Sequence, residues 1–246
     1  MSIESTNDLD GMREAGRVTT ATLDALQAHV CKGVTTADLD DVARAVLASY
    51  GARSAPQLVY KFPGTVLISV NDEIVHGIPG RRRLADGDLV SLDVTIEKDG
   101  FIADAARSVI VGAGSKVARS LVDVANASLR RALAVARSGV RVNAIGRAVQ
   151  DEVHRHGFSV VRGLCGHGVG RTIHEEPQVP NVYDRFLRDV LTEGLVLTIE
   201  PMISAGSSYP VQDADGWTIR TRDGSLAAHC EHTLVITNGA PLILAA

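Results

Sequence analysis

Residues 87–106 read Gly-Asp-Leu-Val-Ser-Leu-Asp-Val-Thr-Ile-Glu-Lys-Asp-Gly-Phe-Ile-Ala-Asp-Ala-Ala. Two apolar, strand-prone runs flank Asp99-Gly100, and Asp-Gly in that setting is the strongest short hairpin signal, because both residues tolerate positive φ. A two-residue turn there sets the register. Asp93 faces Ala106, and Asp104, two residues from Ala106, shares its face. The two aspartates are then diagonal neighbours roughly 7–8 Å apart at the backbone, so their carboxylates can converge on one or two cations. Asp93 has apolar neighbours on both sides, which an exposed strand face explains poorly. A carboxylate in such surroundings either neutralises or finds a cation.

The stretch has an echo. Gly87-Asp88-Leu89-Val90-Ser91-Leu92-Asp93 lies over Gly194-Leu195-Val196-Leu197-Thr198-Ile199-Glu200. Upstream, at an offset one residue shorter, Gly33-Val34 matches Gly139-Val140, Leu39 matches Ile145 and Gly51 matches Gly157. Each copy opens with two segments of helical periodicity: 9–29 and 36–50 in the first, 118–137 and 142–156 in the second. Strand-like runs follow, at 65–70, 88–96 and 101–111 in the first copy. Helices followed by strands favour an α+β class over a wound parallel sheet. We expect one domain over residues 1–246, built of two pseudo-symmetric helix-helix-strand-strand halves, about 7–112 and 113–240. Their strands form an antiparallel sheet covered by helices. The duplication lays Asp93 over Glu200, and a two-fold related sheet would bring those positions together at its centre.

Three further donors sit in similar contexts. His167 lies in Leu-Cys-Gly-His-Gly-Val-Gly, where glycine permits positive φ or close backbone approach. Glu200 follows the apolar run Leu195–Ile199 and precedes Pro201, which interrupts the ladder. Glu231 lies in Ala-His-Cys-Glu-His-Thr-Leu-Val-Ile; the polar His229 and His232 allow a surface strand there, but His229 alternates onto the face of Glu231, as a partner behind a ligand would. Four carboxylates and one imidazole, Asp93, Asp104, His167, Glu200 and Glu231, suit two divalent ions. The donor set fits Mn, Fe(II), Co or Zn better than calcium, and differs from the Cys and His tetrahedron of a structural zinc site. Two bridged ions imply hydrolysis of an amide or ester. His76 and His174 are not needed for the metal set; each could donate a hydrogen bond to an oxyanion or a leaving amine.

The chain has 246 residues, 45% apolar and 22% charged, with a formal net charge of -4. Such a composition builds a core and excludes a disordered chain. The mildly acidic balance gives no nucleic-acid motif; Arg81-Arg82-Arg83 is one short basic run. The cysteines, Cys31, Cys165 and Cys230, form no CxxC pair, which points to a reducing compartment. The N-terminal segment does not read as a secretory signal, and no apolar run is long enough for a membrane helix. The expected location is the cytoplasm.

The segments Ser-Val-Asn-Asp-Glu-Ile-Val-His-Gly-Ile-Pro (69–79), Gly-His-Gly-Val-Gly-Arg-Thr-Ile-His-Glu-Glu-Pro-Gln-Val-Pro-Asn (166–181), Thr-Ile-Glu-Pro-Met (198–202) and Asp-Gly-Trp through Glu-His-Thr (215–233), with the doubled architecture, resemble type I methionine aminopeptidase over about residues 5–238. The resemblance implies the pita-bread fold, starting directly at the catalytic domain without a zinc-finger or SH3-binding extension. It implies removal of the N-terminal methionine from nascent chains when the second residue is small. It assigns Asp93, Asp104 and Glu231 to one ion and Asp104, His167, Glu200 and Glu231 to the other. Glu200 would also handle protons, His174 would stabilise the oxyanion, and His76 would contact the scissile nitrogen or the leaving amine. Phe62 and Trp217 would wall the methionine pocket. A monomer that meets nascent chains at the ribosome is the accompanying expectation.

Four departures from the family pattern bear on rate, specificity and thiol-directed inhibition. The loop Val59-Tyr60-Lys61-Phe62-Pro63 lacks the usual histidine, Leu67 replaces a pocket cysteine, Ala105 a threonine, and Ala227-Ala228-His229 the usual Ser-Ala-Gln. Two rival readings are a prolidase-like Xaa-Pro peptidase of the same fold, which would usually carry an extra N-terminal domain, and a non-catalytic binding protein, which need not have kept all five donors.

Overall fold

The computed structural model describes residues 1–246. Helices α1 (Thr6–His29) and α2 (Thr36–Tyr50) open the first half, and α4 (Lys116–Val135) and α5 (Asn143–Arg155) the second. Their ends are written locally. Ser5 and Ser115 cap α1 and α4, accepting from the backbone N–H of Asp8 and Ala118, and Thr35 with Asp38 forms a capping box on α2. Gly51 ends α2 at φ 61°, a left-handed conformation that glycine adopts without a Cβ penalty. The short α3 (Ala55–Tyr60) stands in what the sequence suggests is plain loop. Ser54 caps it and Pro56 sits in its first turn, a pair of signals with no periodicity behind them in so short a segment.

The hairpin forms as its sequence dictates. Strands Leu89–Lys98 and Phe101–Ile110 join through Asp99 and Gly100 at φ 51° and 84°, with Asp93 opposite Ala106 and Thr95 opposite Asp104. Leu67–Val70 pairs on the other side of the first strand, two residues shorter than the run 65–70 suggests. In the second half Val196–Ile199 pairs with His232–Val235, and Pro201 stops the ladder before Met202–Ser204 starts another.

The two halves repeat each other in backbone detail. Gly33 donates to Leu84 and Leu84 to Val34; Gly139 donates to Leu191 and Leu191 to Val140. Gly33, Gly87, Gly139 and Gly194 all have positive φ. The main core cluster of the first half gathers Met12, Leu23, Leu39, Leu92 and Ile96 beneath α1 and α2; that of the second gathers Leu121, Ile145, Val149, Leu197 and Leu234 beneath α4 and α5.

At the centre of the molecule the halves meet at a narrow seam. Ala106 and Glu231 exchange both backbone hydrogen bonds, at 3.3 and 2.9 Å. On one side of this pair the Thr233 hydroxyl donates to the Asp104 carbonyl (2.6 Å) and accepts from the Asp104 N–H (3.0 Å). On the other, the Ser108 hydroxyl donates to the His229 carbonyl (2.8 Å) and accepts from the His229 N–H (2.9 Å). The seam is thus itself two-fold. Ala106 corresponds to Glu231, Ser108 to Thr233, and Asp104 to His229. At this central seam a single residue pair and two bridging hydroxyls join the halves, and away from it Glu73–Val75 of the first half pairs with Ile219–Thr221 of the second.

Candidate metal centre

The seam brings the first half's two aspartates together with the second half's two glutamates. Asp93 and Ala106 pair within the hairpin, and Ala106 pairs with Glu231 across the seam. Asp104, Glu200 and Glu231 are buried, Glu231 to 2% exposure, which removes the surface-strand reading of that segment. All four acids line one cavity of about 650 Å³ together with His76, His167, His174 and His229.

His167 turns a free ring nitrogen toward the acids. Gly168 O can only accept, so the 2.9 Å contact puts the proton on Nδ1 and leaves the Nε2 lone pair facing Glu200 Oε1 at 3.4 Å. Its backbone N–H donates to the Thr198 hydroxyl at 3.1 Å, and that hydroxyl in turn donates to Glu200 Oε1 at 3.0 Å. The glycines around His167 serve close approach. A Cβ on Gly166 would stand 2.6 Å from Thr198 O, and one on Gly168 would meet the Glu176 carbonyl. Neither has positive φ; of the three, only Gly170 does.

The donors fit divalent cations. Burial first, then the charges of neighbouring acids, pushes the Asp93, Glu200 and Glu231 carboxyls well above the ordinary carboxylate range, and burial pushes Asp104 up to about 6. Asp104 Oδ1 and Glu231 Oε1 are buried without a hydrogen-bond partner. Ligand atoms of Asp104, His167 and Glu231 all lie within 4.8 Å of one another. Converging buried anions with orphaned oxygens and a lone pair among them lack only positive charge. The oxygen-rich set with imidazole suits borderline transition metals, without choosing among Mn, Fe(II), Co and Zn.

The remaining residues named from sequence are gathered here too. His76, just past strand Glu73–Val75, holds φ 61°, an uncommon conformation for a side-chain-bearing residue. Burial and the neighbouring His174 lower its pKa to about 4. The His174 ring packs edge-on against His167 at 4.4 Å, and burial lowers its pKa also. Phe62 and Trp217 meet in a T-shaped contact at 5.2 Å on the cavity wall, beside Leu67 and Met202.

Sequence reading missed three residues. Tyr60 bonds His174 at 2.6 Å. The Thr198 hydroxyl links His167 to Glu200, and its signal was a polar residue two positions before Glu200 in an otherwise apolar run. The Asn181 amide donates to the Glu200 carbonyl at 2.9 Å. Cys165 also lines the cavity, its thiol pushed up chiefly by burial, so a cysteine stands near the site although Leu67 occupies the position first considered.

The pattern of metallopeptidase family M24 matches residues 10–238. Methionine aminopeptidase 2 of Bacillus subtilis (strain 168) is 40% identical over 246 residues, 99% of each chain. The crystal structure of methionine aminopeptidase from Rickettsia prowazekii superposes with a TM-score of 0.95 at 37% identity, covering 100% of both chains. The prolidase from Pyrococcus furiosus shares the fold alone: TM-score 0.80 at 19% identity, with the match covering 65% of that longer chain.

Proposed function

The chain belongs to metallopeptidase family M24, and on that premise we propose that it is a metal-dependent methionyl aminopeptidase, hydrolysing the bond after the N-terminal methionine of nascent chains when the second residue is small. One observation carries this reading: four carboxylates and an imidazole converge on the floor of a single cavity whose wall includes Phe62, Leu67, Met202 and Trp217. An unbranched thioether suits such a wall.

Asp93, Asp104 and Glu231 would hold one ion, and Asp104, His167, Glu200 and Glu231 the other. When bound, divalent ions supply Lewis acidity and acidify water enough for hydrolysis near neutral pH. The side chains do the rest. Glu200, held by the Thr198 hydroxyl and by Asn181, takes and returns the proton. His174 donates to the oxyanion that develops on the scissile carbonyl. His76, fixed in its left-handed backbone, reaches the scissile nitrogen or the leaving amine. Phe62 and Trp217 position the methionine side chain and exclude water from it.

The whole chain acts as one catalytic domain in this reading, as a cytoplasmic monomer meeting nascent chains at the ribosome. No helix is long and apolar enough to cross a membrane. The test is cleavage of a Met-Ala-Ser peptide against an Xaa-Pro peptide with Mn(II) or Co(II). Release of methionine from the first supports the assignment. Preference for Xaa-Pro would replace it with a prolidase-like activity, and peptide binding without cleavage would make the protein a binding module.

A further inference from the structure

His229 is a buried imidazole with nothing to bond. It is 1% exposed, and neither Nδ1 nor Nε2 has a hydrogen-bond partner. Leaving a buried donor or acceptor unpaired is costly. Its ring faces three of the acids at the centre. Nε2 lies 3.8 Å from Glu200 Oε2 and 3.9 Å from Glu231 Oε2, and Nδ1 lies 3.9 Å from Asp93 Oδ2. These separations are too long for hydrogen bonds. They fall within the span of two donors sharing one cation, up to roughly 4.2 Å when each stands about 2.1 Å from it. Glu200 lies between two imidazoles, with Oε1 toward His167 and Oε2 toward His229. The fold adds a second argument. Across the seam His229 is the two-fold mate of Asp104, each pinned at its backbone by the hydroxyl of Ser108 or Thr233.

We propose that His229 is a nitrogen donor to the divalent-metal centre, so that four carboxylates and two imidazoles hold it. Nε2, which faces two carboxylates, is the donor atom, and Nδ1 carries the proton toward Asp93. The proposal rests on the metal-centre reading above. A second neutral nitrogen in an oxygen-rich set favours Co(II), Fe(II) and Zn(II) over Mn(II).

The test is spectroscopic. The metal-stripped full chain is titrated with Co(II), affinity is read by calorimetry, and imidazole ligands are counted by X-ray absorption and by hyperfine-shifted, exchangeable imidazole N–H resonances. Wild type, His229→Gln and His167→Gln are compared. We expect two imidazoles in wild type and one in each variant, with Co(II) bound about tenfold or more weakly by His229→Gln. One imidazole in wild type, or a count and affinity unchanged in His229→Gln, overturns the proposal while leaving the metal centre intact. No saturable Co(II) uptake by wild type overturns the metal-centre reading itself. The wild-type count decides the matter even if His229→Gln does not fold.

Discussion

The Tyr60 phenol lies 2.6 Å from Nδ1 of His174. Desolvation raises the phenol's pKa and burial lowers that of the imidazole, so both groups are neutral. Of the two directions open to this hydrogen bond, the phenol donating to Nδ1 leaves the His174 proton on Nε2. Tyr60, at the end of α3, would in that arrangement hold His174 in the tautomer an oxyanion donor needs. Tyr60→Phe should lower kcat about fivefold, the worth of roughly 1 kcal/mol, with KM for a Met-Ala-Ser peptide unchanged. An unaltered kcat would show that the contact positions nothing.

His174→Ala should cut turnover by roughly 10² or more, the scale of a lost oxyanion donor, with metal content unchanged by elemental analysis. Metal loss in that variant would make His174 structural or a ligand.

Metal removal should destabilise the protein, because it leaves buried carboxylates uncompensated at the seam. At a free metal concentration about 100-fold above Kd, restoring the ions should recover about 2.7 kcal/mol, seen as a rise in Tm. Asp104→Asn should bind less than the wild-type complement of metal and recover less of the shift. Two tightly held ions in that variant would contradict a bridging Asp104.

Thr233→Val removes the hydroxyl that serves both the N–H and the carbonyl of Asp104. With those buried groups unpaired, a cost of about 1–3 kcal/mol is expected, together with weaker metal binding. Ser108→Ala, at the two-fold related position, should cost a similar amount and act on the backbone of His229. Urea unfolding with and without metal measures both effects.

Gly33 and Gly139 are repeat partners with φ 92° and 83°, and an added Cβ at either would meet nothing within 4 Å. Their alanine variants isolate backbone strain from packing. Each should lose about 1–2 kcal/mol, or a few degrees in Tm. Near-equal losses would confirm that the repeat is conformational as well as sequential.

Much of the site was legible because its spacing is short-range. Asp93 and Asp104 follow from a turn dipeptide and the two-residue period of a strand. Glu200 stands out as a charge ending an apolar run, and His167 by its glycines. Tyr60 and Asn181 carry no such mark. Both reach the site from other elements, and Tyr60 lies 114 positions from its partner. The role of α3, which ends at Tyr60, was equally hidden, since six residues show no readable period.

The sequence by itself determined the hairpin register, the four main helices and the duplication, because each is a matter of neighbouring φ/ψ preferences and of apolar residues recurring at one period. Only the tertiary structure decided how the halves meet. The reciprocal pairing of Ala106 with Glu231 depends on two helix-covered sheets packing edge to edge. That packing places the acids around common space and turns His229, a polar residue beside a ligand in sequence, into the two-fold mate of Asp104 with both nitrogens unpaired.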